Sequence, residues 1–304
     1  MRAFVTGGKG FVGTWLVRHL EEQGDEVVAV DHDVDVRDGA AVLTAMRDAA
    51  PEAVYHLAAL THVGQSWEGP EEVLTVNTLG TLHVLQAAQA CTPPPRLLLV
   101  SSAEVYGVVD ERSLPAGEDT PLAPVTPYAA SKVAAEFLGI QAHLAHGLPV
   151  VRVRPFNHVG PGQGPGFVVP SVAARIVEGV RRGGGTVAVG NLSARRDLTD
   201  VRDVVRAYRL LVEVGVPGEV YNVCSGRAVG VAELAGRMLQ LAAVELELVT
   251  DPELVRPVDV PVMYGDPSRI RAATGWEPRI DLDETLADVI ADQAARLPDA
   301  PRTR

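Results

Sequence analysis

Tyr128 and Lys132 stand four residues apart in the run Tyr-Ala-Ala-Ser-Lys, downstream of the hydroxyl pair Ser101-Ser102. In a helix that spacing puts both side chains on one face. The ammonium would then sit beside the phenol and pull its pKa down. A phenol tuned in this way, with a serine hydroxyl nearby, can pass a proton to or from a carbonyl or an alcohol near neutral pH. Taken alone, the pair fits an exposed amphipathic helix equally well, so the chemical reading needs support from elsewhere in the chain.

That support lies at the N-terminal end. Thr6-Gly7-Gly8-Lys9-Gly10-Phe11-Val12-Gly13 follows a short apolar run and opens a helical pattern. Gly7, Gly10 and Gly13 have the spacing of a dinucleotide-binding turn: one glycine for the tight turn, one for close approach to a pyrophosphate, one for helix–strand packing. The anion would rest on the free N–H groups at the helix N-terminus. Asp31 ends the second apolar run, where a carboxylate accepts hydrogen bonds from ribose hydroxyls and repels a 2′-phosphate. The residues after it are His32 and Asp33, with no arginine or lysine directly following. The expectation is therefore NAD, with NADP as the alternative. Asp35-Val36 and His56-Leu57-Ala58-Ala59 come at the ends of later runs, where ligands bind in such sheets. Ala58 and Ala59 are small enough to let a cofactor lie close, and His56 reads as a packed strand residue.

The elements that must position these groups alternate along the first half. Strands are predicted at 2–6, 26–30, 53–57, 96–101 and 150–154, with helices at 12–23, 40–49, 71–90 and 127–146. Nearly continuous Val/Leu/Ala strands joined through helices indicate α/β architecture: a Rossmann-type, doubly wound parallel sheet covered on both faces. Gly24, Pro51, Pro70 and Pro93-Pro94-Pro95 punctuate the pattern at element ends. Beyond Arg154 the texture changes to a Gly/Pro-rich loop, a helix at 170–182, a strand at 186–190, a helix at 202–214, a strand at 219–223 and a helix at 231–241. Short and terminal helices at 267–274 and 282–297 follow, and the tail from Pro298 reads as loose. The expected division is a dinucleotide-binding domain over 1–154 and a smaller, interleaved α/β substrate lobe over 155–304, with 201–223 returning to the main sheet.

Composition narrows the classes. The 304 residues include 47% hydrophobic and 22% charged side chains, an ordinary globular balance. The formal net charge is −12 with no dense basic run, which argues against nucleic acid as a partner. No apolar stretch approaches membrane-spanning length, and the N-terminal residues show no leader pattern. Cys91 and Cys224 are far apart and in no metal-like or redox-like spacing. Together these predict a cytoplasmic protein without a disulfide framework. His143 and His146 share a helix without carboxylate or cysteine partners and read as solvated-face residues, so no metal site is expected.

Thr-Gly-x-x-Gly-Phe-x-Gly, His-Leu-Ala-Ala, Ser-Ser-Ala-Glu-Val-Tyr-Gly and Tyr-x-x-x-Lys, in this order, resemble the extended short-chain dehydrogenase/reductase superfamily. The resemblance implies that Ser102 holds the reacting oxygen, Tyr128 exchanges its proton, and Lys132 tunes Tyr128 and holds the nicotinamide ribose. It implies a cofactor site on Gly7, Gly10, Phe11, Val12, Gly13, Asp31, Asp35, Val36, Leu57, Ala58, Ala59 and Pro155, with Tyr128 and Lys132. Ser101 would be structural. Further motifs narrow the family. Arg154-Pro155-Phe156-Asn157-His158-Val159-Gly160-Pro161-Gly162-Gln163, Val189-Gly190-Asn191-Leu192, Arg196-Asp197, Thr199-Asp200-Val201-Arg202-Asp203-Val204, Tyr221-Asn222-Val223-Cys224-Ser225-Gly226 and Thr274-Gly275-Trp276-Glu277-Pro278 are similar to GDP-6-deoxy-4-keto-mannose reductases. That family makes GDP-D-rhamnose by reducing a C4 ketone with NADH or NADPH. By this resemblance a nucleotide-sugar substrate would meet Ser102, Ala103, Glu104, Tyr128, Asn157, Val169, Asn191, Arg196 and Arg256. Arg196 and Arg256 would supply the local positive charge that an acidic protein needs for an anionic ligand. Arg195 and Arg202 read as exposed surface arginines. Relatives commonly form homodimers through the helices near 71–90 and 127–146.

Glu104 keeps the reaction open. In sugar-nucleotide 4,6-dehydratases a glutamate at this place is the base at C5, often beside an aspartate that protonates the leaving hydroxyl. Here that neighbour is Ala103, although the GDP-mannose dehydratases lack the aspartate too. Three readings follow: a 4-keto reductase first, a 4,6-dehydratase or 4-epimerase with tightly held NAD second, and a non-catalytic NAD-sensing regulator third. The intact Ser102, Tyr128 and Lys132 weigh against the third.

Overall fold

The computed structural model describes residues 1–254 and 260–296. Along the first half come β1 (Arg2–Thr6), α1 (Phe11–Glu22), β2 (Glu26–Val30), α2 (Gly39–Ala49), β3 (Ala53–His56), α3 (Pro70–Leu74), α4 (Gly80–Gln89), β4 (Arg96–Val100) and α5 (Pro127–His146). Then follow β5 (Val150–Pro155), β6 (Asn157–Val159), α6 (Val168–Arg182), β7 (Thr186–Val189), β8 (Arg195–Arg196), β9 (Leu198–Asp200) and α7 (Val201–Val214). The chain continues with β10 (Val220–Val223), β11 (Val229–Gly230), α8 (Val231–Leu241), β12 (Glu247–Thr250), β13 (Val262–Met263), α9 (Ser268–Thr274) and α10 (Leu282–Arg296).

Six strands form a parallel sheet in the order β10-β5-β4-β3-β1-β2. The chain winds outward from β1 to β2, then crosses back to β3 on the other side. That reversal opens a crevice at the carboxyl ends of β1 and β3, the place where open α/β sheets take ligands. Register brings the relevant ends together, since Thr6 lies opposite both Val30 and His56. Both sheet faces are covered. One core packs α1 and α7 side chains such as Leu16, Leu20, Val204 and Tyr208 onto Val5, Leu98 and Val153. The other packs Val42, Met46, Val84 and Ala88 onto Phe4, Val54 and Leu99. A third core, in the lobe after β5, unites α6, α8 and α10 through Val172, Ile176, Leu234, Met238 and Val289.

Several expectations need correction. The helix expected over 71–90 is broken by a π turn at Thr75–Leu79. Asn77 sits at the centre of the wide turn: its Oδ1 accepts from Leu60 N at 2.8 Å while its Nδ2 donates to Leu60 O and to Ser131 Oγ. The short strands β6, β8, β9, β11, β12 and β13 have no counterpart in the sequence reading, because two to four residues carry no periodicity to detect. His143 is no solvated residue: it is half-buried and its Nδ1 bonds Leu148 O at 2.9 Å across the C-terminus of α5. Arg202 is no free surface cation, being fixed bidentately on Asp200 and paired with Asp288. Arg195 is exposed as expected. Arg256 and the tail from Leu297 lie outside the described residues. Among the described residues no helix is long and apolar enough to cross a membrane, and no cluster of potential metal ligands occurs.

Candidate active site

The crevice above the sheet is a cleft of about 660 Å³. Its first wall is the turn between β1 and α1. Gly7 has φ +70°, a left-handed conformation that glycine adopts without strain. A Cβ on Gly13 would collide with Gly7 O and lie 2.8 Å from Gly8, so the helix can pack this close only without a side chain. At Gly10 an added Cβ would meet only Gly7 O, at 3.2 Å; the rest of its surroundings is cleft. The α1 N-terminus has no capping side chain and no acid in its first turn. A phosphate therefore fits here: it finds unsatisfied N–H groups, a favourable dipole end and open space beside the backbone.

At the end of β2, Asp31 lines the cleft, with Oδ2 accepting from Lys9 N at 2.9 Å and Oδ1 from His32 N at 3.0 Å. Two cations stand nearby, and carboxylates hold both. Lys9 Nζ lies 3.3 Å from Asp33, and Arg37 forms a fork with Asp35 whose shortest bond is 2.6 Å. Arg37 holds the Asp35 carboxyl below the usual carboxylate range. Gly7, Gly10, Phe11, Val12, Gly13, Asp31, Asp35, Val36, Leu57, Ala58, Ala59, Tyr128, Lys132 and Pro155, the residues expected at a cofactor, all border this one cleft. His56 is buried between Thr6 Oγ1 and Thr81 Oγ1, and burial drives its pKa down to about 3, so it is a neutral packing residue.

The reaction end is built where α5 begins. Thr126 caps the helix, its hydroxyl accepting from Ala129 N at 3.0 Å, and Pro127 occupies the first turn. The cap fixes where the helix starts and so where the stripe Tyr128, Lys132 and Glu136 faces. Glu136 is buried and receives Arg152 Nη1 together with Arg154 Nε and Nη2, which ties this stripe to β5. Ser102 comes in directly after β4; its Oγ accepts from Glu104 N at 3.1 Å. Ser102, Ala103, Glu104, Tyr128 and Lys132 all face the cleft.

The electrostatics differ from the expectation. Burial pushes the Tyr128 phenol up to about 12, helped by the Glu104 charge and opposed by the hydroxyl of Ser102 beside it. Lys132 does not lower it. The Lys132 amine donates instead to Val100 O at 2.9 Å, and burial lowers its own pKa to about 8. Removing water from around the pair penalises both charged forms, which outweighs the attraction assumed from spacing alone. Tyr128 is accordingly a phenol at neutral pH: a proton donor, not a base.

The second wall comes from the chain after β5. Asn157 and Val169 border the cleft. A smaller recess of about 10 Å³ adjoins it between Ala103, Glu104, Gly107, Asn157, Arg196, Val260 and Met263. Arg196 thus reaches the neighbourhood of Glu104 and Asn157, whereas Asn191 borders neither space and instead accepts from Ser193 N and Oγ. Buried Asp197 fixes the frame around Arg196 by accepting from Ser225 N and Oγ, Gly226 N and Gly265 N. Sequence reasoning missed other cleft residues, among them His62, Phe156, His158, Gln163, Phe167 and Tyr208. Phe156, His158 and Gln163 lie in the motif at 154–163, but only Pro155 and Asn157 were singled out there; His62, Phe167 and Tyr208 belong to no motif.

The model of the family described as GDP-mannose 4,6 dehydratase matches residues 30–289. The chain is 38% identical to a GDP-6-deoxy-D-mannose reductase of Pseudomonas aeruginosa, over 97% of this chain and 98% of that protein. Among solved structures it resembles RMD from Pseudomonas aeruginosa complexed with NADPH, with TM-score 0.89, 37% identity and coverage of 97% and 99% of the two chains. It also resembles UDP-glucose 4-epimerase of Thermus thermophilus in complex with NAD, with TM-score 0.88, 30% identity and coverage of 98% and 100%.

Proposed function

Because this chain belongs to the GDP-mannose 4,6-dehydratase family, we propose that it reduces the C4 ketone of a nucleotide 6-deoxy-4-keto-sugar. The substrate is GDP-4-keto-6-deoxy-D-mannose and the product GDP-D-rhamnose. The observation that carries this reading is that Tyr128, Ser102 and Lys132 border the same cleft as the glycine turn. Whole-length similarity to a GDP-6-deoxy-D-mannose reductase supports it.

The cofactor is NAD(P), which when bound supplies the hydride. The chain's own residues do the rest. Ser102 donates a hydrogen bond to the ketone oxygen and orients it. As that oxygen gains negative charge, Tyr128 gives it the phenolic proton, and the product leaves as an alcohol. Lys132, an ammonium below about pH 8, holds the ribose next to the reacting ring. Asn157 and Arg196, with Arg256, bind the sugar nucleotide. Asp31 favours NADH, a preference reinforced because Lys9 and Arg37 are already engaged by Asp33 and Asp35. Residues 1–154 form the cofactor domain and 155–304 mainly the substrate lobe, with 201–223 returning to the sheet. The protein works as a cytoplasmic homodimer, for which exposed Leu74, Leu79, Phe137 and Leu144 near and on α3 and α5 supply apolar contact surface.

The test is purified protein with GDP-4-keto-6-deoxy-D-mannose and NADH or NADPH, followed by absorbance of the reduced cofactor. Stoichiometric oxidation is expected, faster with NADH. No oxidation, together with turnover of GDP-mannose by bound NAD, would overturn it in favour of dehydration. That second reading draws on Glu104, whose charge reaches the Tyr128 phenol as a base at the sugar would.

A further inference from the structure

His62, on the loop that follows β3, borders the cleft and is half-buried. Two bonds brace it. Gln65 N donates to its Nδ1 at 3.2 Å, and Ser66 N donates to its backbone oxygen at 3.1 Å. An Nδ1 that accepts carries no hydrogen, so the hydrogen of the neutral imidazole sits on Nε2. Nε2 has no hydrogen-bond partner among the described residues, and it keeps accessible surface. The ring packs against Phe167 of the second wall, with centroids 6.0 Å apart. Nε2 itself faces Gly166, where an added Cβ would come within 2.8 Å of it. The donor therefore reaches across to the substrate lobe at a point where that lobe presents bare backbone.

Hydrogen bonds also tie the loop to the reaction end. Two residues before His62, Leu60 N donates to Asn77 Oδ1 at 2.8 Å, and Leu60 O accepts from Asn77 Nδ2 at 3.0 Å. The same Nδ2 donates to Ser131 Oγ at 2.9 Å, which in turn donates to Tyr128 O at 2.7 Å. The sheet order agrees: β3 pairs with β4, after which Ser102 follows, while β2 with Asp31 lies beyond β1. His62 thus stands between the helical turn that bears Tyr128 and the start of α6. A sugar whose ketone meets Tyr128 and whose nucleotide runs toward the second wall must pass it, and such a sugar presents hydroxyl oxygens as acceptors.

We propose that His62 Nε2–H donates a hydrogen bond to a hydroxyl of the hexose reduced at Tyr128, which makes His62 a substrate-binding residue outside every motif of the chain. This inference rests on the sugar-nucleotide reading of the cleft, and its test separates the two. Wild type, His62→Asn and His62→Gln, each loaded with NADH, are titrated calorimetrically with GDP-mannose and with GDP, which lacks the hexose. Asparagine keeps an acceptor near the Nδ1 position for Gln65 N but reaches no farther, whereas glutamine places an amide N–H near the Nε2 position. His62→Asn is expected to bind GDP-mannose about tenfold more weakly, the worth of one hydrogen bond, with GDP and NADH affinities unchanged. His62→Gln is expected to recover most of that loss. Unchanged GDP-mannose affinity in His62→Asn overturns the inference. An equal loss for GDP also overturns it, placing the contact on the diphosphate, and so does a loss for NADH, placing it on the cofactor. A glutamine variant as weak as the asparagine one overturns it too, because packing against Phe167 and not the donor is then what matters. Wild type that binds NADH but neither GDP nor GDP-mannose sinks the sugar-nucleotide reading itself. His62→Phe, which keeps a ring against Phe167 without the donor, gives the same readouts should the asparagine variant fail to fold.

Discussion

The cleft has two walls, and they are made differently. The wall from Gly7 to Val36 is local: one turn, one helix start and the end of the next strand, with backbone atoms packed so tightly that a methyl on Gly13 has no room. The wall after Pro155 is assembled from segments far apart in sequence. Asn157 follows β5, Arg196 ends β8, Met263 ends β13, and the buried Asp197 carboxylate pins loops at Ser225 and Gly265 around them. The first wall is made by close-packed backbone. The second presents side chains from separate segments, and single losses there should weaken binding without dismantling the site.

Substitutions can break or sharpen that contrast. The largest effect is expected for Gly13→Val: its side chain would run into Gly7 and Gly8, so soluble expression or cofactor binding measured by fluorescence should be lost. Retention of both would show the first wall to be as forgiving as the second. Next comes Tyr128→Phe, which removes the proton donor; kcat should fall by roughly 10²–10⁴-fold, the usual worth of general acid catalysis, with NADH affinity kept. Arg196→Ala on the second wall should raise KM for the sugar nucleotide about tenfold through loss of one charge-assisted contact, leaving kcat little changed. A kcat loss as large as that of Tyr128→Phe would remove the distinction between the walls.

The smallest expected effect concerns stability at the boundary of the two walls. The folded-state pKa of Lys132 is depressed to about 8 from 10.5. The fold therefore disfavours its charge, at full cost below about pH 8, and the cost fades as pH rises toward 10.5. Lys132→Met should raise the melting temperature of the cofactor-free protein at pH 7 by a few degrees. The gain should shrink between pH 8 and 10.5. A variant that melts lower at pH 7 would mean that the bond to Val100 O outweighs desolvation.

Much of the first wall was legible because its chemistry is contiguous. Strand, glycine turn and helix start occupy a dozen residues, and short parallel strands read as unbroken Val/Leu runs. Asn157 and Arg196 were legible only through resemblance to a family, since nothing in their immediate neighbours points to a cleft. Tyr208 had no signal at all: in the sequence it is one more apolar position of an amphipathic helix. The π turn at Thr75–Leu79 was hidden for a related reason: Asn77 at its centre is bonded to Leu60 on another segment, whose backbone N–H donates to Asn77 Oδ1.

Spacing alone determined that Tyr128 and Lys132 share a face and that a glycine turn precedes α1, since both follow from local backbone geometry. The state of the pair was decided only by tertiary structure. Burial under the sheet edge keeps the phenol protonated and turns the lysine toward Val100 O, because removing water costs each charge more than their mutual attraction returns. The partners of the second wall were decided there too. Residues from β5, β8 and β13 share one recess only after a parallel sheet and a separate lobe have folded around it, and no sequence separation encodes that meeting.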